Sequence, residues 1–234
     1  MMKKFVLLLA FLPLLVGCLP EADKIPKTKE DIKIVSGDLG KEQFFIPKVY
    51  FKEGTDGFEG GDISLQMMQP DFLPIQKSTP DTSEDRNELK LNRIRIYANE
   101  DRGIVINYSD HIEERIRHFY AFQNIGTEYN LIHLTQPKEH VQDWQDVWVE
   151  RKGKENISYI YCNDENSVPF PQCTHSFKIG TVHVMLDYDK RNLAQWKSIQ
   201  AGVLEKFDSF KSIETAKEEL FEKYSNIKKI KGSK

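Results

Sequence analysis

THSFKIGTVHVMLDYDKRNLAQWKSIQAGVLEKFDSF, residues 174–210, carries two hydrophobic periods in succession. Its first half reads as two strands, 174–179 and 181–188, joined at Gly180 in a tight hairpin. The period then changes: Leu193, Trp196, Ile199, Val203, Leu204, Phe207 and Phe210 fall on one face of a helix, capped near Asp189. A strand hairpin that runs into an amphipathic helix predicts an antiparallel sheet with the helix laid across it, an α+β fold.

The chain on either side extends this pattern. Upstream, 129–135, 146–151 and 157–162 read as further short strands, with Gly153 as a turn. Residues 92–98 set Ile94 and Ile96 between Arg93 and Arg95, and a turn at 99–103 predicts a return strand over 104–108. Residues 63–69 alternate Ile63, Leu65 and Met67 and are closed by Pro70 and Pro74. Residues 44–51 are rich in aromatic and β-branched residues, and Pro47 places that strand at an edge or bulge. Between the strands lie a glycine-rich acidic loop at 53–62, a charged loop expected over 76–90, and a short helix expected at 110–120 through Ile112, Ile116, Phe119 and Tyr120. Downstream, Ala216, Leu220 and Tyr224 line up on a second helix over 213–224, followed by a basic tail, 227–234, expected to fray. The expected fold is therefore α+β: a mainly antiparallel sheet of short strands, one long amphipathic helix, and a second helix at the C-terminus. It occupies a single domain over residues 32–226.

The N-terminus belongs to a different category of signal. Lys3 and Lys4 precede an apolar run over 5–16 broken only by Pro13, and Leu15-Val16-Gly17-Cys18 gives a small-residue exit. Residues 1–17 read as a signal peptide, since a membrane-spanning helix needs about 20 apolar residues. The tetrapeptide resembles the lipobox of bacterial lipoproteins, which implies cleavage before Cys18 and a lipid on its thiol. Residues 18–31 are then the lipidated cysteine and a polar, proline-containing tether, able to reach roughly 40 Å if extended. Leu19, rather than aspartate, resembles the outer-membrane sorting pattern of Gram-negative lipoproteins, which implies an outer-membrane protein facing the periplasm.

Composition narrows the partners. The formal charge of −3 becomes −5 when Lys3 and Lys4 leave with the leader. Without a basic stripe, the mature chain is not built for nucleic acid. The balance favours a protein partner with a basic face. In an exported chain the remaining thiols, Cys162 and Cys173, read as a disulfide; a zinc site is the competing use, and it lacks a CxxC partner. Closing a loop of about a dozen residues is worth roughly 2–3 kcal/mol.

The sequence carries no GxSxG, HExxH or phosphate-cradling loop, so neither catalytic residues nor a cofactor are expected. His111 and His118 stand too far apart on their expected helix for an i,i+4 chelating pair, and His175 and His183 could approach across the expected hairpin but have no carboxylate at ligand spacing. No metal is expected. Asp56, Glu59 and Asp62, among glycines, fit a solvated contact loop better than calcium. Trp144 and Trp148 offer either an aromatic anchor for a partner or core burial.

Five short motifs stand together: Ile46-Pro47 with Tyr50, Pro70-Asp71-Phe72-Leu73-Pro74, Cys162 with Cys173, Leu193 with Trp196 and Ile199, and Ser209-Phe210. This outline resembles a group of envelope lipoproteins found beside antibacterial toxin and type VI secretion loci. The resemblance implies an immunity protein that binds and neutralises a cognate toxin, but it transfers no contact residue, because the matching positions are core, turn or disulfide positions. The candidate contacts remain those of the acidic loop and the tryptophans, Asp56, Glu59, Asp62, Trp144 and Trp148. The other role open to such a chain is structural, as an assembly lipoprotein of the envelope or of a secretion machine.

Overall fold

The computed structural model describes residues 26–55, 57–58, 60–75, 83–100, 122–135, 145–163 and 168–232. In chain order the strands are β1 (Ile34–Leu39), β2 (Glu42–Pro47), β3 (Asp62–Met68), β4 (Leu73–Pro74), β5 (Arg93–Glu100), β6 (Gln123–Glu128), β7 (Leu131–Thr135), β8 (Gln145–Lys152), β9 (Glu155–Asn163), β10 (Gln172–Ile179) and β11 (Val182–Asp189). The helices are α1 (Ser83–Asn92), α2 (Trp196–Ser209) and α3 (Ile213–Gly232). β1 and β2 form a separate hairpin, and the other nine strands make one sheet in the order β4-β3-β5-β11-β10-β9-β8-β7-β6. Every pairing is antiparallel. The expected α+β architecture is the one observed. Among the described residues no helix is long and apolar enough to cross a membrane.

The register fixes what each face carries. One row of directly opposed residues crosses seven strands: Leu65, Ile96, Leu186, His175, Ile160, Trp148 and His133. Side chains alternate across a strand, so all seven lie on one face. This face is the core, where Leu65, Ile96, Leu186 and Ile160 are fully buried. On the opposite face, Val147, Val149 and Tyr159 make a smaller cluster with Ile132, Leu134 and Tyr161, and a polar band follows. There Thr174 donates to Asp187 at 2.7 Å, Arg95 stands 3.5 Å from the same carboxylate, and Ser176 meets His183 at 2.7 Å.

The C-terminal helices cover the core face. Asp189 Oδ1 accepts from the backbone N–H of Arg191 at 2.9 Å, the cap expected there, but it opens a 3-10 turn over Lys190–Gln195 before α2 begins. The long helix of the sequence reading is thus a 3-10 entrance and a shorter α-helix. Phe207 meets Phe44 edge-on at 5.8 Å, and Phe210 meets Tyr50 at 5.3 Å. Phe72, at φ 52, packs so closely on Gly202 of α2 that a Cβ there would lie 2.1 Å from its ring. Lys206 is buried between α2 and α3; its Nζ donates to Tyr50 Oη at 3.1 Å and to Glu219 Oε1 at 2.6 Å. Burial pushes this ammonium down to about 8, against the opposing pull of Glu219.

Several elements differ from the sequence reading. Residues 83–90, expected as part of a loop, fall in α1, which runs on to Asn92 where a strand was expected to open; its Glu, Arg, Lys and Leu residues are good helix formers although they give it no apolar stripe. β1 and β6 were not expected as strands. α3 continues to Gly232, through the segment expected to fray. β5 pairs with β3 and β11, while its expected partner at 104–108 and the expected helix at 110–120 lie outside the described residues.

Candidate functional site

The far end of the core-face row opens into a cleft of about 690 Å³. Its walls come from the β6–β7 turn (Glu128, Tyr129), from β7 and β8 (His133, Asp146, Trp148), from Pro169-Phe170-Pro171, and from residues 189–194 after β11. Each wall is held by a traceable local cause. Tyr129 and Asn130 make a two-residue hairpin turn with positive φ at both positions, 53° and 65°, as that turn geometry demands. Trp196 Nε1 donates to the Tyr129 carbonyl at 3.1 Å and so fastens the turn to the start of α2. The opposite wall is tied down when Lys190 N donates to the Pro171 carbonyl at 2.9 Å.

The disulfide underlies this construction. Cys162 and Cys173 are directly opposed on β9 and β10 and are joined. Their register partners on the outer strands are Asp146 on β8 and Tyr188 on β11. The bond therefore joins the two strands between the acidic wall and the wall carrying Phe170.

Inside the cleft, His133 lies flat on Trp148, with ring centroids 4.5 Å apart and planes 16° apart. Its Nδ1 stands 3.2 Å from Glu128 Oε2, and its Nε2 faces Asp146 Oδ1 at 3.4 Å without hydrogen-bond alignment. Trp148 Nε1 donates to the same Glu128 oxygen at 2.9 Å. Across the cleft, Asp189 is 4% exposed and is gripped by Arg191, through Nε at 2.8 Å and a terminal nitrogen at 2.7 Å. Burial alone would raise the Asp189 carboxyl, but the hydrogen bonds from Arg191 outweigh it and hold the carboxyl below its usual range. That pair cancels its own charge. Among the described residues, Glu128 and Asp146 share one imidazole, and Glu128 also accepts from the Trp148 indole. At the rim, Tyr129 and Phe170 are exposed, and Lys90 Nζ sits 4.0 Å from the Phe170 ring centroid.

Chemically the cleft offers carboxylate oxygens and aromatic faces to a cation. The carboxylates approach opposite nitrogens of one ring, so they do not converge as metal ligands do. Among the described residues no group of three or more His, Cys, Asp or Glu could hold a metal.

Of the sequence-proposed contact residues, Trp148 and Asp62 are among the described ones, and they lie in different halves of the sheet. Trp148 is in the cleft wall but only 3% exposed, so its burial is that of a core residue rather than an exposed anchor. Asp62 opens β3 at the other half of the sheet, beside a smaller depression of about 300 Å³ lined by Ser64, Tyr97 and Asn99. Cys18, Asp56, Glu59 and Trp144 lie outside the described residues, as do His111 and His118. His175 and His183, expected to approach across their hairpin, are on opposite faces, because Leu186 opposes the first and Lys178 the second. His133 was not singled out in the sequence. No spacing marks it, since its neighbours come from two other strands, β6 and β8.

Fold and cleft together define a class: an α+β domain whose antiparallel sheet is covered on one face by C-terminal helices and is open to a polar cleft at one end of that face. No protein-family model and no curated protein matches this sequence. Among solved structures, the chain is similar to Smlt3025, an immunity protein of the Stenotrophomonas maltophilia type IV secretion system. Identity is 16%, the TM-score is 0.57, and the match covers 74% of this chain and 90% of that one. A looser likeness, at 13% identity and TM-score 0.47, is to the Neisseria meningitidis iron-regulated outer membrane lipoprotein FrpD, over 76% of this chain and 92% of that one.

Proposed function

We propose that this chain is a lipid-anchored immunity protein. It is cut before Cys18, held by the lipid on that residue at the periplasmic face of the outer membrane, and neutralises a secreted antibacterial toxin by binding it. The observation that carries the reading is the likeness to a secretion-system immunity protein across 90% of that protein's length. The leader supports it by placing the chain where such a toxin would act, and tethering raises the local concentration of the inhibitor there. The sequence motifs point to type VI delivery and the similar structure belongs to a type IV system; what the two share is neutralisation of a delivered toxin.

The test is genetic and physical. Deleting this gene should kill cells only while the toxin gene beside it is intact, and the purified pair should associate. Survival of the deletion strain in the presence of active toxin would refute the reading. Labelled fatty acid should enter the wild-type chain and not Cys18→Ser; incorporation into neither would refute the anchor while leaving neutralisation to stand on its own test.

A further inference from the structure

We infer that the cleft between the β6–β7 turn and Phe170 receives an arginine side chain from the protein partner, an inference that rests on the proposed binding function and specifies its chemistry. The first support is an imbalance of charge. His133 is approached by a carboxylate at each nitrogen, 3.2 Å from Glu128 and 3.4 Å from Asp146, the second contact without hydrogen-bond alignment. Trp148 Nε1 adds only a neutral donor to Glu128. Among the described residues, two carboxylates thus share one ring that can carry at most a single positive charge, and the neighbouring guanidinium of Arg191 is already bonded to Asp189.

The shape of the cleft selects the cation. A volume of about 690 Å³ accommodates a whole long side chain. The carboxylates stand at opposite nitrogens of a flat ring and do not converge, so they cannot enclose a spherical ion, whereas a planar guanidinium can pair through its fork with one of them. The rim supplies two exposed aromatic rings, Tyr129 and Phe170, and the second already holds an ammonium, that of Lys90, at 4.0 Å. Aromatic faces and paired carboxylates together are what a guanidinium binds best.

The test uses the full mature chain with Cys18→Ser and a defined probe, N-acetyl-arginine methylamide, followed by NMR at the Trp148 indole N–H and the His133 ring. The arginine probe should shift both signals with a dissociation constant on the order of 1–10 mM. The citrulline analogue, of the same shape without the charge, should bind about tenfold more weakly or not at all. Glu128→Gln with Asp146→Asn keeps oxygen acceptors for the indole and should abolish the arginine shifts. Equal shifts from citrulline, arginine shifts that survive the double variant, or the same shifts produced by zinc ions at micromolar concentration would overturn the inference. These outcomes do not depend on the toxin. A cleft that ignores arginine in a protein that still neutralises its toxin sinks only the cleft, and a cleft that binds arginine in a protein that neutralises nothing sinks only the immunity reading.

Discussion

Replacing His175 should flatten the acid sensitivity of this fold. His175 is fully buried in the middle of the core-face row, among Phe177, Tyr188 and Trp196, and neither ring nitrogen has a hydrogen-bond partner among the described residues. Burial pushes it down to about 3, from an ordinary 6.5. Between those values the unfolded chain binds a proton that the folded chain refuses, so stability rises with pH across the window and is fully present above about 6.5. Each pH unit inside the window is worth about 1.4 kcal/mol, so His175 alone should remove about 2 kcal/mol between neutrality and pH 5. The perturbation is His175→Phe, which keeps a ring among rings and removes both unpaired nitrogens. Urea unfolding of the mature chain and the variant, measured in steps from pH 7 to pH 4, should give curves that converge at neutrality's side and separate in acid, with the variant losing less. Carboxylates contribute equally to both proteins and cancel in the difference. Parallel pH profiles, or an NMR titration of the His175 ring near its ordinary value in the folded protein, would show that the ring is hydrated or paired and refute the reasoning.

Removing the cross-strand bond by Cys162→Ala with Cys173→Ala should cost about 2–3 kcal/mol in urea unfolding, since it frees a short loop in the unfolded chain. Gly202→Ala, which in an exposed helix would stabilise by up to about 1 kcal/mol, should instead destabilise by about 1–3 kcal/mol, because the new methyl meets the Phe72 ring at 2.1 Å; thermal melts give the sign directly. Glu219→Ala strands the ammonium of Lys206, whose side chain is 3% exposed, and should cost about 2–3 kcal/mol, less than a fully buried pair because Glu219 itself is 25% exposed. Lys206→Met with Glu219→Ala should recover much of that loss, read in the same denaturation series.

The elements legible in the sequence were those whose burial imposes a period. Ile94 and Ile96, Leu65 and Met67, and Trp196, Ile199, Val203, Phe207 and Phe210 are core residues as their spacing implied, whereas Leu204, expected on the same face, is 38% exposed because it sits at the edge of the stripe beside Val203. α1 escaped because SEDRNELKLN shows no apolar stripe, and β6 because QNIGTE is polar and contains Gly126, so neither offers a period to read. Motif positions in the resemblance proved structural: Tyr50 meets Phe210 edge-on and accepts from the Lys206 ammonium, and Phe72 seats on Gly202. The cleft was illegible for a different reason. Its donors and acceptors become neighbours only through the register of β7 on β8 and the closure of the β6–β7 turn by Trp196, and no local pattern encodes a register between strands.

That register also separates the two ends of the fold. The start of the described chain is fastened at one side of the fold: Lys29 pairs with Glu218 of α3, and Lys48 N donates to the Lys33 carbonyl as β2 gives way to Tyr50 beneath α2. Tyr50 and Phe51 lie against the β3 end of the sheet, where Phe51 opposes Leu65. The cleft lies at the other end, beyond β9. From β3 to β8 the order passes through β5, β11, β10 and β9, five steps of about 4.8 Å, or about 24 Å. A lipid at Cys18, as proposed, would pull on the β3 side through the tether and leave the β8 side free to meet a partner. α2 spans the two, with Lys206 and Phe210 at the tethered end and Trp196 against the β6–β7 turn at the other.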